Sequence, residues 1–526
     1  MDDRIRPTVR EVTWDLLRTL GMTTVFGNPG STELPMFQGF PADFRYVLGL
    51  HESVALAMAD GHALATRNAA FVNLHSAAGV GHAMGSLFTA YRNRAPLVVV
   101  AGQQARSLLS GEPYLFNDDA AAFPRPYVKW SREPARAADV PAAIARAYHL
   151  AMAPPRGPVL VSVPADDWAA PAEPLAPRAV STALRADADL IEEVGRALSV
   201  AARPVFVAGA PVDQERAFAD VVALAELHRA PVWAPPMSSR CGFPEDHPLF
   251  AGFLPPHREG IVEKLVGHDL VLSLGAPVFT YHVVGEGPVL PPGTSLFQLT
   301  DDPQTAAWTP VGTSVLTSVR AGLRDLLDHL PHASRPDPEP RLRAPRVTAD
   351  GDGIRQALLM QTLADVRPPD SVIVEEAPSS RPVMCEHLPN TRADSFYTTS
   401  SGALGYGLPA AVGMALARPG RRVIAVVGDG SAMYAVQALW SAATLDVPLT
   451  TIVVNNGGYA TVDRFAERFG IGKTVGTKLP GLDFVGMARA QGCEAHQVER
   501  AGELADALRT VLASDRPQLL EVVTTD

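Results

Sequence analysis

Cysteine is almost missing. Only Cys241, Cys385 and Cys493 occur in 526 residues. They are odd in number and far apart, and none forms a metal-type pair, so a disulfide framework and a cysteine metal centre are both excluded. Free thiols in a reducing cytoplasm are the expectation. Positive charge is also short: 45 Lys and Arg stand against 56 Asp and Glu, a net charge of −11. No basic face is advertised, which argues against nucleic acid as a partner. There is no apolar run of about 18 residues, so no membrane span is expected. The opening MDDRIRPTVREVTWDLL lacks the apolar core of a signal peptide. No short repeat suggests a solenoid. The 47 prolines are scattered, which excludes collagen-like and mucin-like tracts.

What remains is an ordinary globular composition, 47% apolar and 19% charged. At about 150 residues per domain, the length suggests three or four domains. Two Pro-rich stretches, 169–182 and 332–351, read as linkers. They divide the chain into 1–180, 181–335 and 350–526. Each third alternates short apolar, β-branched runs with helical patterns. Strands are expected at 23–26, 46–50, 71–74 and 96–100, then at 204–208 and 270–274, then at 371–374, 423–427 and 449–454. Helices are expected at 53–66 and 81–91. That alternation implies an α/β fold of three doubly wound parallel-sheet domains, whose ligands bind beyond the carboxyl ends of the strands.

The last third is the most informative. Strand 423–427 runs into Gly428-Asp429-Gly430-Ser431, a helix is expected to about 444, and strand 449–454 ends at Asn455-Asn456-Gly457-Gly458. If these strands are neighbours, Asp429 and Asn456 face one crevice. A carboxylate and an amide oxygen are hard ligands suited to Mg²⁺, which takes part of its shell from phosphate oxygens. Gly430 and Ser431 offer backbone N–H groups at a helix N-terminus, where anions are favoured. The site therefore reads as a Mg²⁺-bridged diphosphate, with the Gly458 carbonyl as a third protein ligand. In the first third, Ser31, Glu52 and His75 each follow a strand, on the same edge of one expected sheet. Glu52 precedes the apolar SVALAMA, surroundings that favour the protonated carboxyl.

The GDGS…NN arrangement resembles the cofactor motif shared by thiamine diphosphate-dependent 2-oxo acid decarboxylases and acetolactate synthases. FGNPGSTELP, NLHSAAGVGHAMG, VAGQQAR, FPRPYVKW and GAPVFTYH narrow the resemblance to the benzoylformate decarboxylase family. The resemblance implies thiamine diphosphate and Mg²⁺ as cofactors, with Asp429, Asn456 and Gly458 as metal ligands. Glu52 becomes the group that shares a proton with the aminopyrimidine, Gly402 and Leu404 lie under the cofactor, and Ser379, Gly430, Ser431 and Tyr459 complete its seat. Ser31 holds the substrate carboxylate, and His75 and His282 move protons. The implied reaction is nonoxidative loss of CO₂ from an aryl 2-oxo acid to give an aldehyde, as in mandelate catabolism. The implied assembly is a cytoplasmic homotetramer, a dimer of dimers with active sites at the dimer interface. A carboligase of the same fold and a noncatalytic thiamine diphosphate-binding protein are the alternatives.

The pocket wall departs from the family. Pro29 and Phe465 keep the pattern, Tyr114 and Leu115 stand where the family has two leucines, and Thr461 and Val462 stand for an Ala-Leu pair. Arg381 stands where the family has a small hydroxyl residue, and Thr398 replaces a phenylalanine. Of the loop Glu375-Glu376-Ala377-Pro378-Ser379-Ser380-Arg381, only Ser379 is expected to bind phosphate. If Arg381 points inward, a substrate with a polar or anionic ring substituent is expected to be favoured.

Overall fold

The computed structural model describes residues 6–176, 178–329 and 335–526. The start of the expected linker at 332–351, residues 332–334, lies outside them, as do residues 1–5 of the opening segment. Three six-stranded sheets follow one another along the chain, and every strand pair described between neighbours is parallel. In spatial order the first sheet holds Arg45–Leu48, Thr24–Asn28, Ala70–Leu74, Leu97–Gln103, Val159–Pro164 and Ser131–Arg132. The second holds Thr313–Leu316, Ser295–Thr300, Leu270–Leu274, Pro204–Ala208, Val232–Ala234 and Phe250–Phe253. The third holds Phe396–Thr398, Val372–Glu376, Val423–Gly428, Leu449–Asn455, Gln518–Val523 and Glu494–Val498.

The central strands are buried along their whole length, as in Ala70–Leu74, Leu97–Gln103 and Val423–Gly428. Helices cover both faces of each sheet, so these strands read as near-continuous apolar runs rather than alternating ones. Each expected strand is present, displaced by no more than a few residues at its ends. One helix is not as expected. The segment after Asp429 forms two helices, Asp429–Tyr434 and Ala438–Leu445. Tyr434 packs over Gly405, a residue at φ +98° that leaves room for it. The chain then turns, and the second piece lies beside the Gly407–Ala417 helix. No Gly or Pro marks the break, so the sequence carried no sign of it.

Two helices join the first and third domains. A Cβ on Gly61 would fall 2.1 Å from the Ala410 carbonyl oxygen, and one on Gly413 would fall 1.9 Å from that of Met58. Only glycine permits this approach. The pairing of 61 with 410 and of 58 with 413 makes helices Glu52–Thr66 and Gly407–Ala417 antiparallel. A buried hub adds the second domain. Arg240 donates to Asp213 at 2.8 Å and to the Leu64 carbonyl at 2.9 Å, and lies over the Tyr397 ring at 4.5 Å. Removing one partner of such a buried pair typically costs about 3–5 kcal/mol. All three cysteines are unpaired, and no described helix is long and apolar enough to cross a membrane.

Candidate active site

The first sheet brings its polar residues to one edge. Strand Thr24–Asn28 lies between Arg45–Leu48 and Ala70–Leu74, with Gly27 opposite Leu48 and Asn28 opposite Leu74. Ser31, Glu52 and His75 follow these three strands and emerge together, as expected. Loop residues Tyr114 and Leu115 share the edge, because Gln104 at the end of Leu97–Gln103 donates to the Tyr114 carbonyl at 2.7 Å. Pro29, Ser31, Tyr114 and Leu115 are all exposed there.

His75 is held by residues that the sequence reading missed. Its Nδ1 lies 3.0 Å from Glu33 Oε2 and 3.0 Å from Thr32 Oγ1. Glu33 also accepts from the Gly30 N–H at 2.7 Å. It is buried and, among the described residues, has no Lys or Arg partner. Space for it comes from Gly102, where a Cβ would fall 1.7 Å from Glu33 Oε1. A carboxylate on Nδ1 favours the tautomer with a proton there and leaves Nε2 as the working nitrogen. The available signal was Glu three residues after Gly30, too short and common a spacing to stand out. Glu52 opens its helix, and its Oε2 lies 3.1 Å from His82 Nδ1. His82 in turn stacks on His51 with ring centroids 5.2 Å apart. Neither histidine was singled out from the sequence. His51, Glu52 and His82 place ligand atoms within 4.8 Å of one another, a set chemically able to hold a cation.

The third sheet builds its edge differently. Strands Val423–Gly428 and Leu449–Asn455 are neighbours, with Gly428 opposite Val454, so Asp429 and Asn456 do share one crevice. Asp429 Oδ1 accepts from the Gly430 N–H at 2.7 Å, while buried Oδ2 has no hydrogen-bond partner among the described residues. Burial pushes its pKa upward, against the pull of the Gly430, Gly458 and Gly457 amides. An orphaned carboxylate oxygen of this kind fits a metal cation. The Tyr459 ring lies so close to Gly430 that a Cβ would meet it at 2.2 Å. Ser431 is buried beside this turn. These residues fit a Mg²⁺ ion with a diphosphate.

Gly402, at φ +72°, and half-buried Leu404 lie on the loop before the Gly407–Ala417 helix. Glu376 fastens that loop, a role the sequence reading did not give it. Its carboxylate accepts from the Gly405 N–H at 2.7 Å, the Tyr406 N–H at 2.6 Å and the Gly407 N–H. Burial raises its pKa to about 7, although the three donors act in the opposite sense. In the loop after this strand the buried, unpartnered hydroxyl belongs to Ser380, whereas Ser379 is only half-buried and uses its carbonyl to accept from Arg464. His282 reaches this edge from the second domain and lies 4.6 Å from the Phe465 ring, centroid to centroid. Phe465 shares the Ala460–Arg468 helix with Thr461 and Val462.

Arg381 and Thr398, expected on the pocket wall, bond to each other and to Glu375. Arg381 Nη1 donates to Glu375 Oε2 at 3.0 Å and to Thr398 Oγ1 at 3.0 Å, and Thr398 itself donates to Glu375 at 2.7 Å. Glu375 and Thr398 are both buried. The half-buried guanidinium is thus paired with the Glu375 carboxylate.

Within one chain the two edges lie far apart. The helix from Glu52 to Thr66 has 15 residues, and at the standard rise that is about 22 Å. Its antiparallel partner begins at Gly407, beside the far end. A second strut agrees: the Ser400 N–H donates to Asn93 Oδ1 at 2.9 Å, and Ser401 lies 3.0 Å from Thr89. The Gly402 loop therefore sits at the Asn93 end of the helix that has His75 at its other end.

The chain matches the thiamine pyrophosphate enzyme N-terminal TPP binding domain over residues 7–122, the central domain over 191–326 and the C-terminal TPP binding domain over 379–522. It is 45% identical to a benzoylformate decarboxylase of Pseudomonas aeruginosa, over 98% of this chain and 99% of that one. Among solved structures it is similar to the thiamine diphosphate-dependent 4-hydroxybenzoylformate decarboxylase of Rhodococcus jostii RHA1, with a TM-score of 0.96, 45% identity and 99% of each chain covered. The benzoylformate decarboxylase of Polynucleobacter necessarius is similar at a TM-score of 0.95 and 39% identity, again over 99% of each chain.

Proposed function

Because the chain belongs to the benzoylformate decarboxylase family of thiamine pyrophosphate enzymes, we infer that it is a carboxy-lyase that removes CO₂ from an aryl 2-oxo acid and leaves an aldehyde. The observation that carries this reading is the imidazole of His75, set at the edge shared with Ser31 and Glu52 and held at Nδ1 by a buried carboxylate. Thiamine diphosphate, when bound, supplies the nucleophilic carbon and the electron sink for decarboxylation.

The chain supplies the rest. Asp429, Asn456 and the Gly458 carbonyl would hold Mg²⁺ against the diphosphate, which the Ser431 N–H would also meet. The Ser379–Ser380 loop adds a hydroxyl, and Gly402, Leu404 and Tyr459 seat the rings. Glu52 holds a proton at the pyrimidine. Ser31 donates to the substrate carboxylate, a charged hydrogen bond worth about 1.5–3 kcal/mol. His75, when doubly protonated and held at Nδ1 by Glu33, delivers its Nε2 proton to the 2-oxo oxygen and is left with its proton on Nδ1. His282, stacked on Phe465, handles the second proton, at the carbon that becomes the aldehyde.

The separation of the two edges supports a site shared between chains, with Glu52 from one subunit and Asp429 from another. Exposed Tyr114 and Leu115 on one edge and Val462 on the other are then covered together. We place this pair within a homotetramer in the cytoplasm, where three free thiols are at ease. The division at 1–180, 181–335 and 350–526 suits one sheet per domain.

For the substrate, the neutralised Arg381 favours a neutral ring, unsubstituted or hydroxylated. Benzoylformate and 4-hydroxybenzoylformate, supplied with Mg²⁺ and thiamine diphosphate, test the reading through CO₂ and aldehyde release. Turnover of either supports it. Loss of CO₂ from neither, in enzyme that binds the cofactor, rejects it.

A further inference from the structure

His51, Glu52 and His82 stand together at the edge of the first sheet, and of the three only Glu52 has a part in the reading above. His51 and Glu52 begin the helix Glu52–Thr66, the first as its N-cap and the second as its first residue. His82 comes from the helix Ser76–Asn93. Gly79, three residues earlier on that helix, lets the two elements meet, since a Cβ there would fall 3.3 Å from Glu52 Oε1. The carboxylate lies along this helix, with Oε1 over Gly79 and Oε2 3.1 Å from His82 Nδ1. Among the described residues, no Lys or Arg pairs with it. The His51 ring stacks on that of His82, with centroids 5.2 Å apart.

Each side chain brings one ligand atom to within 4.8 Å of the other two, the one such group among the described residues. Two imidazoles and a carboxylate are a set that takes Zn²⁺, at bonds of about 2.0–2.2 Å. At those lengths a tetrahedral ion holds neighbouring ligand atoms about 3.3 Å apart. The 3.1 Å between His82 Nδ1 and Glu52 Oε2 therefore fits two ligands of one ion. His51 needs only a change of tautomer. Its Nδ1 accepts from the Ser53 N–H at 3.2 Å and lies 2.6 Å from Ser53 Oγ. With a proton on Nδ1 the ring donates to that hydroxyl and frees Nε2, the usual way a metal-bound histidine is held. His82 is 58% exposed, so an ion has a path in and room for a water as fourth ligand. The third sheet offers different chemistry. Asp429, Asn456 and the Gly458 carbonyl supply oxygen alone, which suits Mg²⁺, whereas imidazole nitrogen favours Zn²⁺ and its neighbours among the transition metals.

We propose that His51, Glu52 and His82 form a second metal site, which takes Zn²⁺ in the chain without its cofactor, and that Zn²⁺ there excludes thiamine diphosphate by occupying the Glu52 carboxylate. The exclusion rests on the role given to Glu52 above; the metal site does not. The test uses the full-length chain freed of cofactor, in excess Mg²⁺ so that the all-oxygen site is filled. Calorimetric titration with Zn²⁺ is expected to show one saturable site per chain. His51→Gln and His82→Gln, each checked by melting temperature, are expected to weaken it more than about tenfold. Co²⁺ in place of Zn²⁺ is expected to give the visible absorption of a four-coordinate ion, and His82→Gln to lose it. Asp429→Ala is expected to keep the Zn²⁺ site, because Asp429 belongs to the other sheet. Thiamine diphosphate is expected to lower the apparent Zn²⁺ affinity more than pyrophosphate does, since pyrophosphate also chelates the ion but has no pyrimidine to claim Glu52. The metal site is overturned by absence of saturable Zn²⁺ binding, by unchanged affinity in the folded histidine variants, or by loss of binding in Asp429→Ala. Equal effects of the two anions, in a chain that binds thiamine diphosphate, overturn the exclusion. A chain that binds Zn²⁺ here but no thiamine diphosphate faults the reading of Glu52 and upholds the metal site.

Discussion

The first and third sheets have the same size and the same parallel order of winding, yet their carboxyl edges are different chemical objects. The first presents side chains that carry protons: Glu52, His75, Ser31 and, behind them, Glu33. The third presents backbone: the helix start at Ser431, the Gly430 amide turned onto Asp429, the close approach at Gly458, and the loop tied by its N–H groups to Glu376. Among the described residues its unmet demands include the buried, unpartnered oxygen of Asp429 and the hydroxyl of Ser380. The difference matches the role proposed for each edge. Proton transfer needs groups with pKa values and fixed orientation, while a diphosphate needs N–H donors and a counter-ion.

The sharpest break of this comparison is Asp429→Ala. It removes the only charged ligand offered to the metal, so thiamine diphosphate affinity in Mg²⁺ should fall more than about a hundredfold, beyond the loss typical of outer-sphere changes. Calorimetry measures it, with a melting curve to show that the fold persists. Near-native affinity would mean that the third edge does not hold the metal through Asp429.

On the first edge the corresponding experiment is Glu33→Gln. The amide keeps the volume but cannot hold Nδ1 as a carboxylate does. Turnover should fall about tenfold to a hundredfold, a part of what a placed acid contributes, while KM changes much less. Nitrogen NMR of His75 should show a shift in its tautomer balance. A purely structural role for Glu33 would leave that balance alone.

The comparison also holds that the two edges serve one cofactor from different chains. Inactive Glu52→Gln and Asp429→Ala enzymes, mixed under subunit exchange, should regain about a quarter of native activity, since half the dimers are mixed and each has one intact site. Proven exchange with no recovery would count against a shared site.

The smallest effect concerns a buried carboxyl at neither edge. Glu245 accepts from the Asn390 N–H at 2.8 Å, and burial raises its pKa from 4.5 to about 7. A carboxyl with a raised folded pKa contributes stability that is full below the unfolded value and lost as pH rises through the folded one. Glu245→Gln should therefore melt a few degrees higher than the parent at pH 8 and show no such advantage at pH 4.5, with turnover unchanged. Equal pH dependence in both proteins would remove Glu245 from the account.

Much of this was legible because the relevant signals are local. A buried parallel strand is a run of apolar residues, and a strand that ends in Gly-Asp-Gly-Ser or Asn-Asn announces a turn at an edge. Those patterns placed Asp429 and Asn456 at one crevice and Ser31, Glu52 and His75 at one sheet edge. The helix break after Tyr434 was not legible, since it answers to packing over Gly405 rather than to any breaker in the chain. Ser380 could not be told from Ser379, because a one-residue difference in direction is set by the turn.

By itself, then, the sequence determined three parallel α/β units, a Gly-Asp-Gly-Ser turn facing Asn456 across one crevice, and a polar trio on the edge of the first sheet, all through periodicity and short motifs. Only the tertiary structure decided which partners those residues have. It put Glu33 on His75 across 42 positions of chain, turned Arg381 inward to Glu375, and set Glu52 and Gly402 at opposite ends of a helix pair. The reason is that a charge is satisfied by whatever lies within a few ångströms of it, and that neighbour is fixed by how sheets and helices pack rather than by order along the chain.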